Sequence, residues 1–166
     1  MMRVSQKFQI YILLSFVFAL LDQVTKELAR IYFTPETNIE VIPGFLKLIL
    51  IENRGISFGA FSELGETTRL IFLVGVPILV VIFLIFYNFF YINKLNRLES
   101  IGYALITGGA CGNLYDRIVY ESVTDFKYFL FFDRGLFVNN AADDFISIGL
   151  VMIIFGGFLQ SRKKKI

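Results

Sequence analysis

The residues able to do chemistry fall in a few short stretches: "DQVTK" at 22–26, "ENRG" at 52–55, "GNLYDR" at 112–117, "VTDF" at 123–126 and "NNAADD" at 139–144. The chain has no histidine, and Cys111 is its single cysteine. That excludes a Ser-His-Asp triad, a Cys-His pair, a His-ligated metal site and an intrachain disulfide. Acid–base work must fall to Asp, Glu, Lys or Tyr, and no cofactor or metal is expected. Two carboxylates facing each other in a shielded site have a defined chemistry. Like charges a few Å apart cannot both ionise easily, so the pair shares a proton near neutral pH, and its titration belongs to the pair. The ionised member can take a proton from water while the protonated member donates to a carbonyl oxygen. Such a pair hydrolyses a peptide bond without a covalent intermediate.

Spacing groups the candidates. Asp22 and Lys26 stand i,i+4 on a helix, the favourable orientation for an ion pair, and a purely structural pair is the plainer reading. Asn113, Asp116 and Arg117 lie at i, i+3 and i+4 and share a helix face. The glycines before them, Gly108, Gly109 and Gly112, allow another helix to approach closely. Asp125 alone reads as a loop aspartate. Asn140 and Asp143 fit the N-cap and first turn of a helix, where orphan N–H groups and the helix dipole favour them. They equally fit a functional face shared with Ser147. Asp144 is turned about 100° from that face and is expected to cap the helix or face the interface.

These residues need a membrane scaffold to hold them. The 166-residue chain is 56% hydrophobic, with 20 Phe and no Trp, against roughly 45–50% apolar in an ordinary soluble domain. Residues 70–93 carry no charge and predict a transmembrane helix with Pro77 inside it. The runs 8–21, 101–115 and 145–160 are shorter and reach about 20 residues only by taking in Asp22 and Lys26, Asp116 and Arg117, or Asp143 and Asp144. Dense basic residues (Arg3, Lys7, Lys94, Arg97, Arg162, Lys163, Lys164 and Lys165) mark 1–7, 93–98 and 161–166 as cytoplasmic. The expectation is an all-α membrane protein of a single domain, 1–166. Its four transmembrane helices, near 8–28, 70–92, 99–118 and 141–160, leave both termini cytoplasmic and all three polar ends near the outer face. The outer connection 30–69 reads as a small sheet with a turn at Asn53-Arg54-Gly55. The aromatic connection 119–139 reads as a segment resting in the interface.

In order and spacing, "DQVTK", "ENRGISFGAF", "GGACGNLYDRI", "VTDF" and "NNAADDFISIG" resemble lipoprotein signal peptidase (signal peptidase II), a family of bacterial intramembrane aspartyl proteases, over nearly the whole chain. The resemblance implies removal of signal peptides from prolipoproteins in the bacterial inner membrane, with cleavage just before a cysteine bearing a diacylglyceryl group. It implies a catalytic pair at Asp125 and Asp143. Asp22, Asn53, Asn113, Arg117 and Asn140 match polar positions around the family's active site and inhibitor-binding region. Lys26 and Asp116 match supporting positions, and Gly59 and Ala142 lie within the same motifs. The implied partners are lipidated prolipoproteins, membrane lipids and cyclic-peptide inhibitors of the globomycin type. The resemblance also implies an outer β-cradle and an interfacial amphipathic segment; a monomer and no nucleic-acid partner are expected.

Some positions depart from the family pattern. Asp144 stands where Ser is common, Asn139 where an aromatic is common, and Ile56-Ser57 where small residues pair. Two other classes would use similar residues. A small transporter would spread its polar groups through the membrane, whereas here they cluster at one depth. A membrane assembly factor would tolerate single Asp→Asn changes.

Overall fold

The computed structural model describes residues 4–55, 71–131 and 134–163. Gly59 and Ile56-Ser57 lie outside the described residues. The elements run α1 Val4–Tyr32, β1 Ile39–Ile42, β2 Leu46–Asn53, a π-helical turn Ile71–Gly75 leading into α2 Val76–Tyr91, α3 Arg97–Val119, β3 Val123–Phe131, β4 Arg134–Asn139 and α4 Ala141–Lys163. Among the described residues, three helical stretches are long and apolar enough to cross a membrane: Val4–Tyr32, Ile71–Tyr91 and Ala141–Arg162. Their outer faces present Phe16, Phe83, Phe90 and Val151 openly. Such apolar exposure is stable only against lipid or a partner. Pro77 lies within the continuous stretch Ile71–Tyr91, where the wider π-helical turn Ile71–Gly75 passes into α2.

The helix α3 is built differently from its neighbours. It is lined with small residues and is buried between α1 and α4. A Cβ placed on Gly102 would come within 2.6 Å of the Gly149 carbonyl, and one on Gly108 within 2.6 Å of the Ser15 carbonyl. Gly109 packs as tightly on the Ala142 carbonyl, so α3 meets both neighbours backbone to backbone. Tyr11 Oη and Thr107 Oγ1, 2.7 Å apart and buried, tie α1 to α3 deeper in the bundle.

The strands form one antiparallel sheet in the order β1-β2-β3-β4. Connection 119–139, read from its aromatics as an interfacial segment, instead supplies half of that sheet. The apolar and polar residues of "VTDFKYFLF" serve two strand faces, and β3 pairs with β2 on one side and β4 on the other. The predicted turn is present: Asn53 Oδ1 accepts from Gly55 N at 3.0 Å, closing the end of β2. Between α3 and β3 the chain reverses at Glu121, which takes a left-handed φ of 58°. This brings the first residues of β3 back onto the end of α3.

Candidate active site

The polar ends of α1, α3 and α4 converge. Lys26, fully buried, reaches Asp22 Oδ2 at 2.7 Å, Asp116 Oδ2 at 3.3 Å and Asn113 Oδ1 at 2.8 Å. Two carboxylates and an amide thus compensate one buried ammonium, the condition under which buried charge is tolerated. Asp22 extends the link to the third helix by accepting from Ala142 N at 2.8 Å. Asp116 secures the sheet by accepting from Thr124 N at 3.0 Å. Asp22 and Lys26 thus form the i,i+4 ion pair that their spacing predicts, with Asp116 as a second carboxylate on the same ammonium.

Gln23, Arg30 and Thr124 complete this network and escaped the sequence reading. Gln23 Nε2 donates to Asp116 Oδ1 and to the Gly112 carbonyl, each at 3.0 Å. Arg30 reaches Asp116 Oδ1 at 3.1 Å and donates to Thr124 Oγ1 at 3.0 Å. Gln23 lies inside the "DQVTK" motif, so its place beside Asp22 was a usable signal. Arg30 and Thr124 carry none, because their meeting depends on how α3 turns into β3.

Asp125 and Asp143 stand next to this support, each bonded to a residue that it positions. Register accounts for the first. Asp125 lies opposite Ile51 in the β2–β3 ladder, and Asn53 lies opposite Val123. Asn53 is therefore the diagonal neighbour of Asp125 on the same face, and its Nδ2 donates to Asp125 Oδ2 at 2.9 Å. The other oxygen, Oδ1, accepts from Asn140 Nδ2 at 2.6 Å. Asp125 is only 2% exposed. Burial pushes its carboxyl up to about 6, and the Asp143 carboxylate adds to the rise, while Asn53, Asn140 and Lys26 oppose it.

Helix geometry accounts for the second. Asn140 Oδ1 accepts from Asp143 N, and Asp143 Oδ2 accepts from Asn140 N, both at 3.2 Å. This is a reciprocal cap on the first turn of α4. The remaining oxygen, Asp143 Oδ1, accepts from Asn113 Nδ2 at 2.9 Å. One oxygen of Asp143 thus caps the helix, and the other meets Asn113 on α3. Asn140 is completely buried and bonds both carboxylates, which makes it the bridge between strand and helix. Arg117 is half-buried within the field of Asp143, Asp125 and Asp116, and its Nε has no hydrogen-bond partner among the described residues.

Asp144 does not cap. It is one residue too far along to reach back to Asn140, and its side chain turns to the sheet. There it pairs with Lys127 and accepts from Asn139 Nδ2 at 3.0 Å. Two of the positions that depart from the family pattern, 139 and 144, therefore touch each other.

Residues 14–159 match the family described as Signal peptidase (SPase) II. The chain is 39% identical to a lipoprotein signal peptidase from Sulfurihydrogenibium sp., covering 98% of each protein. It is 38% identical to one from Aquifex aeolicus, over 88% of this chain and 84% of that protein. Two solved structures, both described as bacterial membrane enzymes determined by the in meso method, share the fold. One has a TM-score of 0.75 at 26% identity, covering 95% of this chain and 92% of the other. The second has a TM-score of 0.73 at 28% identity, covering 89% and 91%.

Proposed function

The chain belongs to the signal peptidase II family, a family of bacterial membrane proteases, and on that premise we propose that it cleaves prolipoprotein signal peptides with Asp125 and Asp143. The observation that carries the reading is the Asn140 bridge: its side-chain amide donates to the buried strand carboxylate of Asp125, and its backbone N donates to the helix-cap carboxylate of Asp143. Asp125, with its carboxyl raised to about 6, holds the shared proton in the resting pair. The partner carboxylate takes a proton from a water molecule, whose oxygen attacks the scissile carbonyl carbon. Asp125 donates its proton to the carbonyl oxygen, giving a neutral tetrahedral diol. The proton gained by Asp143 passes to the departing amine as the C–N bond breaks. One diol hydroxyl returns its proton to the dyad, and the carbonyl re-forms as the new carboxyl terminus.

The substrate is a signal peptide joined to a cysteine that carries a diacylglyceryl group, and the cut falls just before that cysteine. Helix α3 is the fourth span, its small and polar residues facing α1 and α4 rather than lipid. Both termini lie in the cytoplasm by the distribution of Lys and Arg. The dyad then sits near the outer leaflet of the cytoplasmic membrane, under a sheet that serves as a cradle. The chain works as a monomer in one domain. Cyclic-peptide inhibitors of the globomycin type occupy the same space as substrate, against Asn53, Asn113, Arg117 and Asn140. Transporter and assembly-factor readings leave the family membership unaccounted for.

The test is cleavage of a diacylglyceryl-modified prolipoprotein peptide by the purified chain in lipid. Release of the signal peptide, lost in Asp125→Asn and in Asp143→Asn, supports the proposal. An inert wild-type chain, or an Asp143→Asn variant that cuts normally, overturns it.

A further inference from the structure

Beyond the dyad, one more ionic contact joins the strand of Asp125 to the helix of Asp143. Lys127 follows Asp125 by two residues and so projects from the same face of β3. Asn139, on β4, lies directly opposite Lys127 in the ladder. Asp144, next to Asp143, takes Lys127 on Oδ2 and Asn139 Nδ2 on Oδ1. A single carboxylate on the first turn of α4 is thus fastened to both strands at the level where they pass the dyad. Lys127 is 15% exposed and Asp144 41% exposed at their side chains. A pair this open to solvent contributes little to global stability. Its effect is geometric: the pairing of Lys127 with Asn139 already joins β3 to the strand that runs into α4, and the Asp144 contacts tie the first turn of the helix to that pair of strands.

We propose that Lys127, Asn139 and Asp144 form a clamp that sets the separation of Asp125 and Asp143. They are positioning residues that act through the dyad without touching substrate. The inference rests on the two-aspartate reading and adds to it a reason for the second aspartate of "ADD". A misplacement of about 1 Å can cost a large part of a rate that depends on two groups meeting in one geometry.

The experiment compares wild type with Asp144→Ser, Lys127→Met and the charge-swapped pair Lys127→Glu with Asp144→Lys. Steady-state cleavage of the diacylated peptide is measured together with melting temperature and amide hydrogen exchange. The expected result is a fall in kcat of about three- to tenfold in each single variant, with KM and melting temperature little changed. Exchange should quicken over β3 and the first turn of α4, and the swapped pair should recover most of the rate. Single variants with wild-type kcat, or a swapped pair as slow as either single variant, overturn the clamp. A loss of melting temperature that matches the loss of rate also overturns it, since the role would then be structural. If wild type itself fails to cleave, the functional reading falls. Exchange then still decides the clamp, because unchanged protection in Asp144→Ser means that nothing is being held.

Discussion

The helices α3 and α4 begin with the same device. Each starts Asn-x-x-acid: Asn96 with Glu99, and Asn140 with Asp143. In α3, Asn96 Oδ1 accepts from Glu99 N at 3.0 Å, and Glu99 Oε2 accepts from Asn96 N at 2.8 Å. In α4 the same two bonds recur at 3.2 Å. What differs is the group that meets the free amide of the asparagine. Asn96 Nδ2 donates to the Gly156 carbonyl at 2.8 Å, a neutral backbone acceptor. Asn140 Nδ2 donates to the Asp125 carboxylate. A cap becomes a candidate site only where a second ionisable group is brought against it, so the motif alone cannot distinguish the two ends.

The comparison predicts its largest effect at the acidic positions. Asp143→Asn keeps an oxygen to accept from Asn140 N, so the helix start survives, while cleavage should fall by about 10³-fold or more. Asp125→Asn should be as severe. Glu99→Gln makes the matching change at the other cap and should leave kcat and KM unchanged. Equal losses at Glu99 and Asp143 would mean that both caps are structural.

The next effect separates the cap from the bridge. Serine caps helices about as well as asparagine but is too short to reach Asp125. Asn140→Ser should therefore melt close to wild type, while kcat falls about 10- to 100-fold. Wild-type cleavage by that variant would remove the bridge from the mechanism.

A smaller effect lies in the pH profile. The Asp125 carboxyl is raised to about 6 by burial, and the Asn53 amide opposes that rise. Asn53→Ala should move it further up. Activity that needs the shared proton is lost on the alkaline side, so the alkaline limb of kcat/KM should shift to higher pH in Asn53→Ala. Linkage gives a second readout. The folded chain holds the Asp125 proton more tightly than the unfolded chain does. That contribution to stability is complete below the ordinary carboxylate range and is lost as pH rises through about 6. Wild type should therefore lose melting temperature over that interval, and Asp125→Asn should lack this component. An alkaline limb unmoved in Asn53→Ala would detach Asp125 from the protonated role.

These contrasts also mark how far the sequence could be read. The helices were legible because hydrophobic runs and polar ends are local, and "GGACGN" announced a close approach that α3 makes to both neighbours. The Asp22–Lys26 pair was legible because i,i+4 geometry is fixed by the helix itself. The strand character of 119–139 was not, because aromatics at an interface and aromatics on a sheet look alike until the partner strand is known. The meeting of Asn53 with Asp125 depends on register across 72 residues of separation, which no local pattern encodes. Asp144 shows the limit most sharply. Its 100° offset from Asp143 was readable, but its partner Lys127 lies across a strand pairing.

The smallest predicted effect is the control on which the comparison depends. Asn96→Ala removes the cap acceptor for Glu99 N and the donor to Gly156, and alanine offers neither. Loss of such a cap costs about 0.5–2 kcal/mol, which should appear as a modest drop in melting temperature. The dyad lies at the opposite end of α3, beyond the 23 residues of that helix, and the packing of Gly102 on Gly149 stands between. Coupling from Asn96 to Asp143 would have to travel through that seam as a shift of α4 along α3. The glycine contacts oppose it, since backbones packed this closely admit few alternative registers. Asn96→Ala should therefore cleave with the kcat and KM of wild type at temperatures well below its melting point. A kcat that falls in parallel with Asn140→Ser would mean that α4 moves as one rod and that both caps set the position of Asp143.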